Sequence, residues 1–377
     1  MHRKADAALR GGRPREAIRA LEAGLDAASD DFSGWIKLAS LRRHDGESRA
    51  ALEAVNSAIN LQPADLVALL LKGSLHEQLG EDSAAAELYR AAGFHAGDGL
   101  TLPLPLRKQL DHTRGFLARH RAAIEGRLKG TGQDDPIHAA RALRLRDNVF
   151  DRRAVFHQEP THYRFPGLAD VEYFDFAYAG LRERLQKAFP AIRDEFLALI
   201  ARHGDRQQPY VAFAPGQPVG QWSALNRSPA WNALHLIRYG EVDPVNAAAC
   251  PATIAALAGE HQPDVGGLTP NLMFSLLAPH THIPAHHGVA NFRAVLHLPL
   301  IVPAGCRFRV GADTREWREG EPWIFDDTIE HEAWNDSDAL RVVLIGDLWR
   351  PELDAGDRAI VRDFMAAQDN WHRVGAL

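Results

Sequence analysis

Histidines crowd one segment near the C-terminus, and their spacing suits a metal centre. His286, His287 and Gly288 are consecutive, His297 follows, and His331 lies about 45 residues after His286. Neutral imidazole is a common ligand of iron, zinc, copper and nickel. Arg341 follows ten residues after His331, and a guanidinium can bind the carboxylate of an organic acid through two parallel hydrogen bonds. These residues predict an iron oxygenase with an organic acid as co-substrate.

The position two residues after His286 offers no metal ligand. Iron oxygenases commonly hold the metal with two histidines and one carboxylate, and Gly288 occupies the place of that carboxylate. Three interpretations stay open: an inactive site, a site completed by water, or a site where chloride fills the third position. Asp326 and Asp327 precede His331. They favour a working site, because metal-binding histidines usually donate their second ring N–H to such acceptors.

Strands must position these side chains, and alternating apolar residues predict them. The expected strands lie near residues 270–277, 291–302, 305–311, 321–325, 331–335 and 340–349. Many short strands separated by turns indicate an antiparallel sandwich or barrel. Two helical stretches, separated by Pro190 and ending near His203, are expected before them.

The first third of the chain repeats itself every 34 residues. Gly12, Gly46 and Gly80 share this step, and further positions recur in the same register: Ala17, Ala51 and Ala85; Leu21, Val55 and Tyr89; Ala58 and Ala92. Small residues at helix contacts and glycine at the turns are typical of tetratricopeptide repeats. We therefore expect an α-solenoid over residues 1–97, which serves either to bind a peptide or partner protein or as a structural collar.

The segment between the repeats and the strand-rich region is predicted to be a helical linker, residues 98–160. Leu102-Pro103-Leu104-Pro105 marks its start, a basic helix follows over about 107–129, and a loop at 130–135 precedes a short helix. Residues 161–377 then form the predicted catalytic domain. The fold class is α+β and multidomain.

Composition narrows the possible functions. A net charge of -6 and a pI near 6.3 argue against nucleic acid as a partner. The N-terminus resembles no signal peptide, and the chain contains no run of 18 apolar residues. No membrane segment is therefore expected, and the predicted location is the cytoplasm. Cys250 and Cys306 are predicted to be buried thiols.

Long, ordered motifs resemble the aspartyl/asparaginyl β-hydroxylase family. They are HIPAHHGVAN at 282–291, Arg293 and His297, IFDDTIEHEAW at 324–334, Arg341, and DLWRPEL at 347–353. Weaker matches are FPGL at 165–168 and GQWS at 220–223. The strong resemblance covers about residues 270–355.

The resemblance implies a double-stranded β-helix, a jelly-roll or cupin-like fold with flanking helices, that uses Fe(II), 2-oxoglutarate and O2. It implies His286 and His331 as the metal ligands, and glycine at position 288. Arg341 would bind the distal carboxylate of 2-oxoglutarate, with Ser275 and His297 as further co-substrate contacts. Trp222 and Ser223 match a substrate-side motif of the family. One position departs from the family prototype, which has a second arginine where this chain has Val295.

The predicted function is hydroxylation of a carbon in an Asp- or Asn-type side chain of a peptide or protein. The repeat region would recruit the substrate or a partner. Two alternatives are kept: a halogenase that uses the same site, and an inactive binding scaffold.

Overall fold

The computed structural model describes residues 1–97, 101–128, 134–259 and 261–367. These residues belong to two compact units, which divide between Arg146 and Asp147. Part of the predicted 130–135 loop, residues 130–133, lies outside the described residues.

Three helix pairs build the first unit up to Ala96. The six helices are α1 (His2–Arg10), α2 (Pro14–Leu25), α3 (Phe32–His44), α4 (Ser48–Leu61), α5 (Leu66–Gln78) and α6 (Asp82–Ala96). Gly12, Gly46 and Gly80 stand at the turn within each pair, with φ values of 69°, 83° and 73°. Glycine populates this left-handed region at little cost, whereas other residues are strained there. The repeat therefore sets the turn geometry of all three pairs.

The recurring small residues lie at helix contacts. Ala17, Ala51 and Ala85 are fully buried. At Gly73, a Cβ atom would come within 2.6 Å of the Tyr89 ring, so only glycine allows α5 and α6 to approach this closely. The predicted helical repeats are confirmed.

Two more helices follow the repeats. They are α7 (Leu104–Leu128) and α8 (Pro136–Val149). Pro105 stands in the first turn of α7, where its missing N–H leaves no helical hydrogen bond unmade. Phe116 of α7 contacts Tyr89 of α6, with ring centroids 5.2 Å apart. The predicted basic helix thus extends the packed helical layer.

Eleven strands of the described residues in the second unit form two antiparallel sheets. They are β1 (Gln208–Pro209), β2 (Trp231–Arg238), β3 (Glu241–Val242), β4 (Leu272–Leu277), β5 (Thr281–His286), β6 (Arg293–Ile301), β7 (Cys306–Val310), β8 (Asp313–Glu316), β9 (Trp323–Phe325), β10 (His331–Asn335) and β11 (Arg341–Trp349). The larger sheet has the order β1-β2-β4-β11-β6-β9, with β3 beside β2, and the smaller sheet has the order β5-β10-β7-β8. All six predicted strands are confirmed. The strands β1, β2, β3, β5 and β8 were not expected.

An apolar core joins the two sheets. Val295, Val343 and Ile345 of the larger sheet belong to one buried cluster with Phe308 and Ala333 of the smaller sheet. Sheets that pack face to face bury alternate side chains in this way. The predicted antiparallel β-sheet domain is therefore confirmed, and of the two predicted forms, sandwich and barrel, the shared core between two sheets corresponds to a sandwich.

In the described part of the second unit, four α-helices accompany the two sheets: α9 (Ala179–His203), α10 (Pro244–Ala248), α11 (Pro251–Leu257) and α12 (Ala355–Ala366). The predicted break at Pro190 is wrong, because α9 is continuous through it. An interior proline costs a helix about 3 kcal/mol. Burial of the apolar side of α9 offsets this cost, since Leu185, Ile192 and Phe196 are almost fully buried in a cluster with the larger sheet.

Two further expectations concern burial and membrane crossing. Cys250 and Cys306 are buried free thiols, as predicted. Among the described residues, no helix is both long enough and apolar enough to cross a bilayer.

Candidate active site

Two neighbouring strands bring His286 and His331 together. His286 ends β5 and lies directly opposite His331, which begins β10. Their ring centroids are 4.0 Å apart and the ring planes are inclined by 55°. Residues 45 apart in sequence therefore present two imidazoles at one point of the smaller sheet.

Backbone carbonyl groups fix the orientation of both rings. Nδ1 of His286 lies 2.7 Å from the carbonyl oxygen of Pro284, and Nδ1 of His331 lies 3.0 Å from that of Ile329. A carbonyl oxygen only accepts, so each Nδ1 carries the proton and each Nε2 keeps its lone pair. Burial lowers the pKa of His286 to about 4 and that of His331 well below its ordinary value. Both rings are therefore neutral, as metal binding requires.

Arg341 is buried without a compensating carboxylate. It begins β11 and is 2% exposed. Within the described residues it has no hydrogen bond or ion pair, and its guanidinium lies 5.0 Å from the centroid of the Trp317 ring. Burial lowers its pKa to about 10. Because a buried charge without a partner is costly, this arrangement fits a site that receives an anion.

Ser275 and His297 line the same cavity as Arg341. Ser275 is fully buried on β4, and its Oγ accepts a 3.0 Å hydrogen bond from Nε1 of Trp231. The hydroxyl proton of Ser275 is therefore available to another acceptor. His297 lies on β6, and its buried Nδ1 has no hydrogen-bond partner among the described residues. Burial, together with the nearby Arg341 charge, holds the pKa of His297 well below its ordinary value.

One cavity of about 560 Å³ contains these groups. Much of its wall is aromatic or aliphatic: Tyr210, Phe213, Val219, Trp222, Trp231, Met273, Ile283, Val289, Val295, Phe308, Phe325 and Ile345. The cavity therefore contains the two neutral imidazoles and the unpaired guanidinium of Arg341 within a largely apolar wall.

Asp326 and Asp327 have partners other than the histidine rings. Asp326 accepts hydrogen bonds from Nη1 of Arg350 at 2.6 Å and from the Thr328 hydroxyl. Asp327 accepts from Nη2 of Arg293 at 2.6 Å, and its Oδ1 lacks a hydrogen-bond partner in the described part of the chain. The contacts expected between these carboxylates and the rings of His286 and His331 are made by backbone carbonyls instead.

Asp327 also explains the glycine at position 288. A Cβ atom at Gly288 would lie 2.1 Å from Oδ2 of Asp327, closer than real atoms approach. Burial raises the pKa of Asp327 to about 7, and the nearby Arg293 opposes that rise. Among the described residues, no group of three His, Cys, Asp or Glu side chains could hold a metal ion.

Known proteins are similar in sequence to the region that contains this cavity. Residues 186–351 match the family model described as Aspartyl/Asparaginyl beta-hydroxylase. The predicted resemblance is confirmed. The chain is 31% identical over 183 residues to the human Aspartyl/asparaginyl beta-hydroxylase, covering 48% of this chain and 22% of that protein. It is 32% identical over 197 residues to the Ornithine lipid ester-linked acyl 2-hydroxylase of Rhizobium tropici, covering 51% of this chain and 66% of that protein.

The chain therefore spans about a fifth of the human relative and just under two thirds of the bacterial one. The solved structure of the TPR2B-domain:pHsp70-complex of yeast Sti1 is 17% identical, covers 32% of this chain and 94% of that chain, and gives a TM-score of 0.28. Because this score is low, the description of the repeats depends on the helix pairs and turn glycines alone.

Val295, where the β-hydroxylase prototype has an arginine, adds an apolar side chain to the cavity wall. Val295 is 6% exposed and lines the cavity. Arg293 lies two residues earlier but does not replace the missing arginine, because its guanidinium is paired with both Asp327 and Asp347. Arg341 is consequently the unpaired guanidinium of this β-hydroxylase-like cavity, within the described residues.

Trp222 and Ser223 match the substrate-side motif of the β-hydroxylases, but only Trp222 lines the cavity. Trp222 is buried and packs on the His286 ring, with centroids 4.4 Å apart. Ser223 is exposed and does not line the cavity. The structure therefore brings Trp222 into the site and leaves Ser223 outside it.

Sequence reasoning missed two features of the cavity. The side-chain amide of Gln221 donates to the carbonyl of His287 at 3.1 Å and accepts from its N–H at 3.2 Å, which ties the turn that bears Trp222 to the end of β5. Tyr210 stacks on Trp231 with ring centroids 3.9 Å apart. The GQWS motif was the signal for Gln221. The segment around Tyr210 carries no comparable signal.

Proposed function

We propose that the second unit is an Fe(II)- and 2-oxoglutarate-dependent dioxygenase that hydroxylates a substrate carbon. One observation carries this proposal: a buried guanidinium, without a hydrogen-bond partner among the described residues, shares a cavity with two neutral imidazoles whose Nε2 atoms are unprotonated. A metal that prefers nitrogen ligands and an organic dianion together satisfy these groups.

In this proposal, Nε2 of His286 and Nε2 of His331 hold Fe(II). The carbonyls of Pro284 and Ile329 keep both rings in the required tautomer. Fe(II) with 2-oxoglutarate, when bound, supplies the oxidation that converts O2, 2-oxoglutarate and a C–H bond into succinate, CO2 and a C–OH group. Asp327 and the Arg293 ion pair shape the cavity beside Gly288.

Arg341 would bind the distal carboxylate of 2-oxoglutarate. Its planar guanidinium matches a carboxylate with two parallel hydrogen bonds, and binding removes the cost of its unpaired burial. Ser275 can donate its hydroxyl proton to the same ligand, since Trp231 already donates to its oxygen. His297 offers a further polar edge from β6.

We also propose that the sandwich is a double-stranded β-helix. Alternation of the chain between the two sheets supports this: β4 and β6 belong to the larger sheet and β5 and β7 to the smaller one, and β9 and β11 belong to the larger sheet and β10 to the smaller one.

The name of the human relative suggests an Asp or Asn side chain in a peptide or protein as the first candidate substrate. The name of the Rhizobium relative suggests an acyl chain as the second, and the apolar wall of the cavity favours this candidate. For the first unit, we propose that the helical repeats recruit the substrate or a partner protein, as repeats of this kind offer an extended binding surface.

Succinate formation from 2-oxoglutarate with added Fe(II) and O2 tests the proposal. We expect the intact protein to form succinate and His331→Ala to form none. His282→Ala is the matched control, because His282 pairs with Glu332 and lies outside the cavity. A halogenase would instead add chlorine to a substrate in a chloride-dependent way. An inactive scaffold would form no succinate and bind no iron.

A further inference from the structure

Charge is sparse and balanced in the wall of the cavity. Apart from histidines, the described lining residues with ionisable charge are Arg293, Arg341, Asp327 and Asp347. Arg293 lies between the two carboxylates and donates to both. Asp347 also accepts from the backbone N–H of Asn271 at 2.8 Å and from its side-chain amide at 2.7 Å. Both aspartates are therefore held in place by hydrogen bonds.

The ligands of the proposed reaction leave this balance unchanged. Fe(II) carries two positive charges and 2-oxoglutarate carries two negative charges, so they offset each other. The two arginines likewise offset Asp327 and Asp347. Arg293 donates a hydrogen bond to each of these carboxylates, which favours their charged forms. With metal and co-substrate bound, the cavity therefore carries no formal charge.

A charged substrate group would disturb this neutrality. Arg341 is committed to the co-substrate in the proposed function, Arg293 is committed to two carboxylates, and Val295 adds no charge to the cavity wall. An anion placed in the cavity would then be desolvated without a cation to compensate it, which is costly. The remaining wall is largely aromatic and aliphatic.

We infer that the substrate group at the reacting carbon is uncharged, such as an asparagine amide or an aliphatic chain, and that the cavity rejects an ionised aspartate. This inference rests on the proposed function and narrows its substrate. It assigns to Val295 a role in specificity: the absence of a cation at this position selects against anionic substrates.

Three probes of nearly equal size isolate the effect of charge. They are the N-acetyl, N-methylamide derivatives of leucine, asparagine and aspartate, whose side chains share one branched shape. Binding is measured at pH 8 by quenching of tryptophan fluorescence, since Trp222 and Trp231 line the cavity. The protein is loaded with 2-oxoglutarate and Mn(II), which permits binding without turnover. We expect the leucine and asparagine probes to bind at least about tenfold more tightly than the aspartate probe.

Two variants at position 295 provide the matched comparison. Val295→Arg adds a cation to the cavity, and Val295→Met adds similar length without charge. We expect Val295→Arg to reduce the preference for asparagine over aspartate by about tenfold and Val295→Met to leave it unchanged. Thermal unfolding checks that both variants are folded, and the series on the unmodified protein decides the question without them.

The outcomes separate this inference from the proposed function. Equal affinities for the three probes, including undetectable binding of all three, or a preference for aspartate would overturn the inference. Succinate formation in a separate assay with Fe(II) would leave the proposed function standing in that case. Absence of succinate would overturn the proposed function, even if the probes followed the expected order.

Discussion

Two buried arginines in the same cavity wall have opposite surroundings. Arg293 is 3% exposed and Arg341 is 2% exposed. Arg293 lies between Asp327 and Asp347, whereas Arg341 has no carboxylate partner in the described part of the chain. Equal burial therefore does not imply equal function. Removing a compensated guanidinium leaves buried carboxylates unpaired, and the uncompensated guanidinium is where we propose that a ligand supplies the missing charge.

The largest effect expected from this contrast is on stability. Arg293→Met removes the cation and leaves two buried carboxylates without compensation, so we expect the free energy of unfolding to fall by about 3–5 kcal/mol. Urea unfolding at pH 8 measures this loss. A loss below about 1 kcal/mol would show that the ion pairs do not hold the wall together.

Arg341→Met should have the opposite effect: stability should be retained, and affinity for 2-oxoglutarate should fall. It removes a charge that has no partner, so we expect unchanged or increased stability in the absence of 2-oxoglutarate. Affinity for 2-oxoglutarate should fall roughly 30-fold or more, because truncating one side of a buried charge pair costs about 2–5 kcal/mol of binding. Arg341→Lys retains the charge without the planar fork and should bind with intermediate affinity. Titration calorimetry with 2-oxoglutarate distinguishes the three proteins.

The two carboxylate oxygens of Asp327 also differ in their partners: Oδ1 has no hydrogen-bond partner among the described residues, whereas Oδ2 has one. Oδ2 pairs with Arg293, and it also fills the space that a side chain at Gly288 would need. Gly288→Ala should therefore destabilise the protein by about 1–3 kcal/mol through overpacking. The double variant Gly288→Ala with Asp327→Ala opens that space, so the alanine at position 288 should cost less in that background. Additive losses in a double-mutant cycle would contradict this explanation.

The parts of the structure that the sequence predicted are those with a strong local period. The 34-residue step located the helix pairs through turn glycines such as Gly46, and alternation located β6 and β11. β5 was missed although it carries His286. Its exposed and intermediate residues, among them His282, and the proline at position 284 weaken the alternation. Here the pairing with β10 defines the strand, and that information is not local.

The candidate active site was also predicted only in part. The residue types of His286, His331 and Arg341 were visible in the motif, but the partners of the buried polar groups were not. Backbone carbonyls, rather than Asp326 and Asp327, hold the imidazoles. Each carbonyl lies only two residues before its histidine, so the local backbone conformation makes these contacts, and the residue types alone do not reveal it. The pairing of β5 with β10 instead brings the two imidazoles together, and this pairing is not local information.

Burial of the two imidazoles predicts the smallest effect, a nearly flat pH dependence of metal binding. Two ordinary histidines, with pKa values of about 6.5, would each be roughly 90% protonated at pH 5.5 and would together weaken binding about 100-fold relative to pH 7.5. Burial lowers the pKa of His286 to about 4 and holds that of His331 well below its ordinary value, so protons compete little in this range. Protonation of Asp327 as the pH falls below about 7 removes one nearby negative charge and should weaken binding slightly. We expect Co(II) affinity to change by less than about threefold between pH 7.5 and 5.5. A decline near 100-fold would mean that water reaches the two rings and that they titrate as exposed histidines. Burial in the cavity would then not control the charge of these side chains.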